Sequence, residues 1–260
     1  MPYQTLTLEF SGEIAMLTLN RPEKRNAISS DMIADLFSAL AKIESNPARV
    51  LILTGAGKSF CAGMDLEELK SVATRSPAEH LEDSRRTAKL LKRIWSFPKP
   101  TIAAVNGPAI AGGCGLATLC DFTLAAPDAK FGYPEVKIGF LPAIVSIFLV
   151  RQVGEKHTRE LLLSGRTIDA GEALRLGLIT KIVAAHDLMN AAKDQAAELL
   201  LCSPVSLQKT KKLLCNLSAP ELDCELELAI SEGAKIRSKP DFREGLSAFL
   251  EKRPARWRPK

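Results

Sequence analysis

A chain of 260 residues, 46% hydrophobic and 25% charged, is long enough to bury a sizeable core and has the composition of an ordinary soluble protein. No run approaches the ~18 consecutive apolar residues of a membrane span. The opening MPYQTLTLEFSGEIAML has neither the basic-then-apolar order of a secretory signal nor the Arg-rich character of a transit peptide, so the expected location is the cytoplasm, away from membranes.

In chain order, period-2 runs at 5–10 (TLTLEF) and 14–20 (IAMLTLN), joined by SGE, predict a β-hairpin. Ser29 or Ser30 caps an amphipathic helix to about residue 45, with Ile33, Leu36, Phe37, Leu40 and Ile43 on one face. VLILT (50–54) reads as a strand buried on both faces. A glycine-containing loop follows, then charged helical sequence stopped by Pro98 and Pro100. Next come strand 101–105, a helix near 112–119, strand 121–126, helices around 142–163 and strand 178–183. Beyond Asp187 the sequence is helical, with breaks expected at Pro204, Pro220 and Pro240. The pattern is an α/β core, residues 1–200, followed by a helical C-terminal region, residues 201–260.

Six cysteines form no C-x-x-C pair and read as reduced, buried thiols, and the three histidines lack metal-ligand spacing, so no metal is expected. The formal charge of +5, with basic clusters at 209–212 and 252–260, suits a polyanionic ligand, nucleic acid or a solvated surface.

Two glycine-bearing segments carry the chemistry. GAGKS at 55–59 fails as a phosphate loop because Ile52 stands where the first glycine is required, and Gly113-Cys-Gly115 lacks the third small residue of a dinucleotide fingerprint at Thr118. Each segment, however, leaves a buried strand and enters a helix: VLILT to GAGKSFCAGMDL, and TIAAV to NGPAIAGGCGL. Ligands bind just beyond the carboxyl ends of such strands, where the unpaired N–H groups of a helix's first turn favour negative charge. Two such loops side by side can aim two amides at one oxygen, which is an oxyanion hole; a purely structural tight turn is the other reading.

FCAGMDL (60–66), NGPAIAGGCGLATLCD (106–121) and FGYPEVKIG (131–139) resemble the enoyl-CoA hydratase/isomerase, or crotonase, superfamily, in the family's order and from NRPEKRNA (20–27) to EGLSAFLEKR (244–253). The resemblance implies a repeated ββα core with a helical C-terminal trimerisation region, a homotrimer or dimer of trimers, and an acyl-CoA substrate with no separate cofactor. By position it gives the oxyanion amides to Met64 and Gly112, with Gly112 and Gly113 letting the thioester oxygen approach the backbone. It places Lys24, Arg25, Ala62 and Met64 along coenzyme A, and lets Phe249 and Lys252 reach a neighbouring subunit's nucleotide. Read alone, these are as readily surface charge and helix core.

The family's hydratases typically carry two glutamates. Here the second is Glu135, amid apolar residues where a partly buried carboxylate would have a raised pKa, although spacing alone would make it a surface residue after a proline; the first position is Gly115. An isomerase needs one carboxylate to move a proton from Cα to Cγ; a hydratase also has to activate water. Ile144 and Val145, where many relatives have small residues, imply a more apolar pocket wall suited to an aliphatic acyl chain, or ordinary core packing, and the resemblance counts Gly115 with them among the residues around the acyl group. Asp65 reads as a helix N-cap and Glu67 and Glu68 as first-turn acids. The expected activity is hydration of a 2-enoyl-CoA with Glu135 as acid and base. The alternative is a Δ3–Δ2-enoyl-CoA isomerase; a lyase or decarboxylase on the same scaffold and a noncatalytic RNA-binding protein rank lower. A serine hydrolase is disfavoured because Ser59 and Ser146 lack an evident base.

Overall fold

Alternation in the first strands sends every second side chain inward. β1 (Leu6–Ser11) and β2 (Ile14–Leu19) pair antiparallel, and β2 buries Ala15, Leu17 and Leu19. The computed structural model describes residues 3–72 and 74–257. α1 (Ser30–Ser45) begins at Ser29, whose hydroxyl accepts from the Met32 N–H at 3.2 Å, and buries Met32, Ile33, Leu36, Ala39, Leu40 and Ile43. It crosses to β3 (Val50–Gly55), which lies parallel to β2.

The charged segment expected as one helix divides into α2 (Leu66–Val72) and α3 (Pro77–Trp95). The divider is a capping box: Ser76 and Glu79 satisfy each other's backbone N–H groups, with Pro77 preset for the first turn. After β4 (Thr101–Val105) come β5 (Ala109–Ile110), α4 (Gly112–Thr118), β6 (Phe122–Ala125) and β7 (Lys130–Gly132). They lead to α5 (Ala143–Ser164), β8 (Thr167–Asp169), α6 (Ala170–Arg175) and β9 (Lys181–Ile182).

Among the described residues the strands form two sheets: six strands in the order β1-β2-β3-β4-β6-β9, parallel except for β1, and three in the order β5-β7-β8. Alternation divides the large sheet between two cores. Leu51, Leu53, Ala103 and Val105 join the larger one, while Val50, Ile52, Ile102 and Ala104 pack on the helix α7 (Leu188–Leu200).

α8 (Pro204–Ile236) runs continuously through position 220, where a break was expected. A proline forfeits one helical hydrogen bond, and packing along α3 and α5 outweighs that loss. α9 (Pro240–Leu250) follows. Two sheets followed by C-terminal helices make this an α/β architecture, as the strand–helix pattern of the sequence implied. Among the described residues no helix is long and apolar enough to cross a membrane. All six cysteines are unpaired. Cys61, Cys114 and Cys120 are buried, and burial pushes each thiol up to about 12. Cys202 and Cys224 are exposed, contrary to the expectation of buried thiols: Cys202 lies in the turn between α7 and α8, and Cys224 on an exposed side of α8.

Candidate active site

β3 and β4 are neighbours in parallel register, Leu53 opposite Ala103, so the loops leaving their carboxyl ends emerge side by side. The loops are stitched together. The Phe60 and Cys61 N–H groups both donate to the Pro108 carbonyl at 3.1 Å, and the Ile110 N–H donates to Cys61 O at 2.9 Å. Glycine permits this closeness: a Cβ at position 107 would stand 2.1 Å from Lys58 O, and one at position 113 would stand 2.4 Å from Cys61 O. Gly113 thus serves the contact between the loops. Gly112 is half-buried, and a Cβ there would meet only Ile28 Cδ1, at 3.3 Å.

Ala111 turns the chain into α4 with φ 52° and ψ −125°, a conformation costing a non-glycine residue about 1–3 kcal/mol. Its N–H is anchored to Gly132 O at 2.8 Å. On the other loop Gly63 has φ 90°, and a Cβ there would stand 3.1 Å from Ala111 Cβ. Met64 and Gly112 are therefore the next residues of two touching segments. Neither amide N–H donates a backbone hydrogen bond among the described residues.

The 20–28 segment forms a third side. Ala62 N–H donates to Arg25 O at 3.0 Å, and Ile28 bridges Met64. Lys24, Arg25, Ala62 and Met64 are thereby brought together, with Lys24 and Arg25 exposed, Ala62 half-buried and Met64 37% exposed. The cornerstone is Asn26, which sequence reasoning missed between two conspicuous cations and an alanine. It is fully buried at φ 54°; its side chain accepts from Arg21 N–H and donates to Ala56 O and Ser59 O. Arg21 pairs with Asp65 at 2.8 Å, and Asp65 Oδ1 accepts from Glu67 N–H, as a cap does. Glu68 is tied to Ser30 N–H and Arg75, and Glu67 to Lys70. All three acids thus have structural partners.

Glu135 sits in a 3-10 turn, Pro134–Ile138, three residues beyond β7, which pairs with β5 beside α4. Phe140 N–H closes the turn onto Glu135 O, and Gly139 ends it at φ 66°. α9 is jammed beneath: a Cβ at Gly245 would stand 2.4 Å from the Ile138 carbonyl carbon, and one at Gly139 2.5 Å from Asp241 O. Glu135 is 8% exposed, its Oε2 has no hydrogen-bond partner, and desolvation pushes its carboxyl up to about 7. A buried carboxyl with one unpartnered oxygen, titrating near neutrality, can take up and return a proton.

Gly115 is buried in α4. A Cβ there would meet Val145 Cγ1 at 3.3 Å and both Leu91 methyls at 3.4 Å. Val145 is thus beside Gly115, and Ile144, the preceding residue, is half-buried. Phe249, 53% exposed, and Lys252 stand in solvent at the end of α9.

A family model described as enoyl-CoA hydratase/isomerase matches residues 9–260. A Thermus thermophilus protein provisionally named as an enoyl-CoA hydratase is 44% identical, over 95% of this chain and 98% of its own. The short-chain-enoyl-CoA hydratase of Clostridium acetobutylicum is 36% identical, over 97% of each. An enoyl-CoA hydratase/isomerase structure from Xanthobacter autotrophicus superposes with a TM-score of 0.90 at 32% identity, covering 99% of this chain and 100% of that one. On a match that spans nearly its whole length, the chain belongs to the enoyl-CoA hydratase/isomerase family of enzymes.

Proposed function

We propose that this enzyme adds water to a 2-enoyl-CoA thioester, with Glu135 handling both protons of the reaction. The observation that carries this is the buried Glu135 carboxyl, with one unpartnered oxygen, beside two touching loops with open amides; the names of the relatives favour hydration over other enolate chemistry. The thioester oxygen accepts from the Met64 and Gly112 N–H groups. Ionised Glu135 takes a proton from water as its oxygen bonds to Cβ; the Cα=Cβ electrons shift to form an enolate, whose negative charge on oxygen the two amides stabilise. The enolate collapses as the same carboxyl delivers the proton to Cα, and Glu135 is again ionised. Lys24 and Arg25 hold the phosphates of coenzyme A, with Ala62 along the pantetheine path.

The base is active only when ionised, so kcat/KM should fall tenfold per pH unit below about 7. A profile flat from about pH 5 to 8 would remove Glu135 as the base.

Gly115 favours a second reading, the isomerase, which uses one carboxylate to move a proton between Cα and Cγ. Restoring the absent acid is not simple, because Leu91 and Val145 occupy the space. Gly115→Glu should gain no hydration and lose about 1–3 kcal/mol of stability from overpacking. A folded, faster Gly115→Glu enzyme would show instead that the missing carboxylate limits the rate.

The C-terminal region is proposed to assemble a homotrimer or a dimer of trimers. Leu213, Leu214 and Leu217 stand 59–74% exposed on α8, and exposed leucines of this kind suit burial against another copy. Phe249, exposed on α9, and Lys252, exposed just beyond it, are then free to reach a neighbour's coenzyme A. Sedimentation should give three or six copies; a monomer at working concentration would overturn this assembly.

A further inference from the structure

Behind the catalytic turn lies a buried polar group of side chains that the proposed reaction does not use. Arg237, at the end of α8, is 4% exposed, and its guanidinium lies over the Phe140 ring, 5.3 Å from the centroid. Its Nε and Nη1 have no hydrogen-bond partner. On α3, Ser84 Oγ (residue 1% exposed) and His80 Nδ1 (residue 3% exposed) are also unpartnered. The neighbouring acid is Asp83, 3.5 Å from Arg237 Nη1, but Asp83 is hydrogen-bonded by Arg75, which also holds Glu68. Buried polar groups are ordinarily satisfied, so several unmet ones in one place need an explanation.

Their position supplies it. Phe140 closes the Glu135 turn. A Cβ at Gly233, one helical turn before Arg237, would lie 3.4 Å from Ala143 Cβ and 3.8 Å from Ser84 Oγ. Ala143 leads into Ile144 and Val145, and Val145 packs against Gly115. Leu91, which also packs against Gly115, is seven residues beyond Ser84 on α3, about 10 Å along a helix at roughly 1.5 Å per residue. Helix α3 and the start of α5 thus each have one residue beside Gly115 and another beside the polar group.

We propose that Arg237, with Ser84 and His80, forms the distal end of the acyl site and takes a carboxylate at the far end of the acyl chain, making the substrate the CoA thioester of a dicarboxylic acid. Arg237 and Ser84 offer N–H and O–H donors to such an anion, and charge-assisted bonds of this kind are strong and selective in a buried setting. Burial holds the Arg237 guanidinium down to about 10, as expected of a buried cation with too little negative charge near it. The apolar wall of Ile144 and Val145 then suits the methylene part of such a chain.

This inference rests on the acyl-CoA reading of the site, and calorimetric binding of unreactive saturated esters separates the two. Glutaryl-, adipoyl- and suberoyl-CoA are compared with pentanoyl-, hexanoyl- and octanoyl-CoA. At least one dicarboxylic ester should bind tenfold or more tighter than its length-matched partner. Arg237→Met should erase that preference, and Ser84→Ala should reduce it severalfold if the arginine variant does not fold. Equal binding within every pair, or a preference that survives the variants, would overturn the proposal and leave the acyl-CoA reading standing. Failure of all six esters to bind would overturn both.

Discussion

Glu135→Gln should lower kcat about 10³-fold, within the range expected for loss of a general acid–base group, while CoA-ester binding is largely retained. The same substitution should alter stability in the opposite direction. A carboxyl raised to about 7 in the folded state, against ~4.3 when unfolded, binds its proton more tightly in the native protein. Wild-type stability therefore falls as pH rises through that interval and levels off above it. Glutamine has no charge to desolvate, so the variant's stability relative to wild type should improve by about 3 kcal/mol between about pH 4 and pH 8. Urea denaturation at the two pH values measures this. A constant difference would mean that Glu135 is not desolvated, and full turnover would remove it from the mechanism.

Gly113→Ala should be nearly as damaging to activity, for a steric reason. The added methyl would lie 2.4 Å from Cys61 O and 2.7 Å from Cys61 Sγ, so the two loops must separate. Overpacking of this kind costs about 3 kcal/mol. Displacing one oxyanion donor lowers kcat by about 10²–10³-fold. Gly115→Ala is the internal control: its nearest contacts, at 3.3–3.4 Å, end in side-chain methyls that can give way, and alanine favours a helix by about 1 kcal/mol over glycine. A Gly113→Ala enzyme with wild-type stability and rate would show that loop contact does not hold the two amides in place.

The sequence made the large elements legible where a local signal existed. Ser29 announced α1, the continuous apolar run announced β3, and the segments entering α2 and α4 pointed to Met64 and Gly112. β5, β7 and β8 are only two or three residues long, too short for a period-2 pattern, and their pairing comes from distant parts of the chain. The break expected at Pro220 failed because packing along α8 is spread over many residues whereas the proline's cost is local. Glu135 could be singled out by its motif, and its apolar neighbours suggested partial burial; the packing of its turn could not be read, because α9, about a hundred residues later, supplies Gly245 against Ile138. Arg237 in KIRSKPD reads as one more surface cation. Only the fold sets it between Phe140 and Asp83, and only there does its lack of partners become visible.

The most direct test of the central claim is mass spectrometry of the product formed from a 2-enoyl-CoA in heavy-oxygen water, with wild-type and Glu135→Gln enzymes side by side. Hydration at a single carboxylate predicts one labelled oxygen at Cβ in the wild-type product and none above background in the variant. Unlabelled substrate recovered from the wild type, with 3-enoyl-CoA converted to 2-enoyl-CoA in a parallel reaction, would contradict hydration and make the enzyme an isomerase.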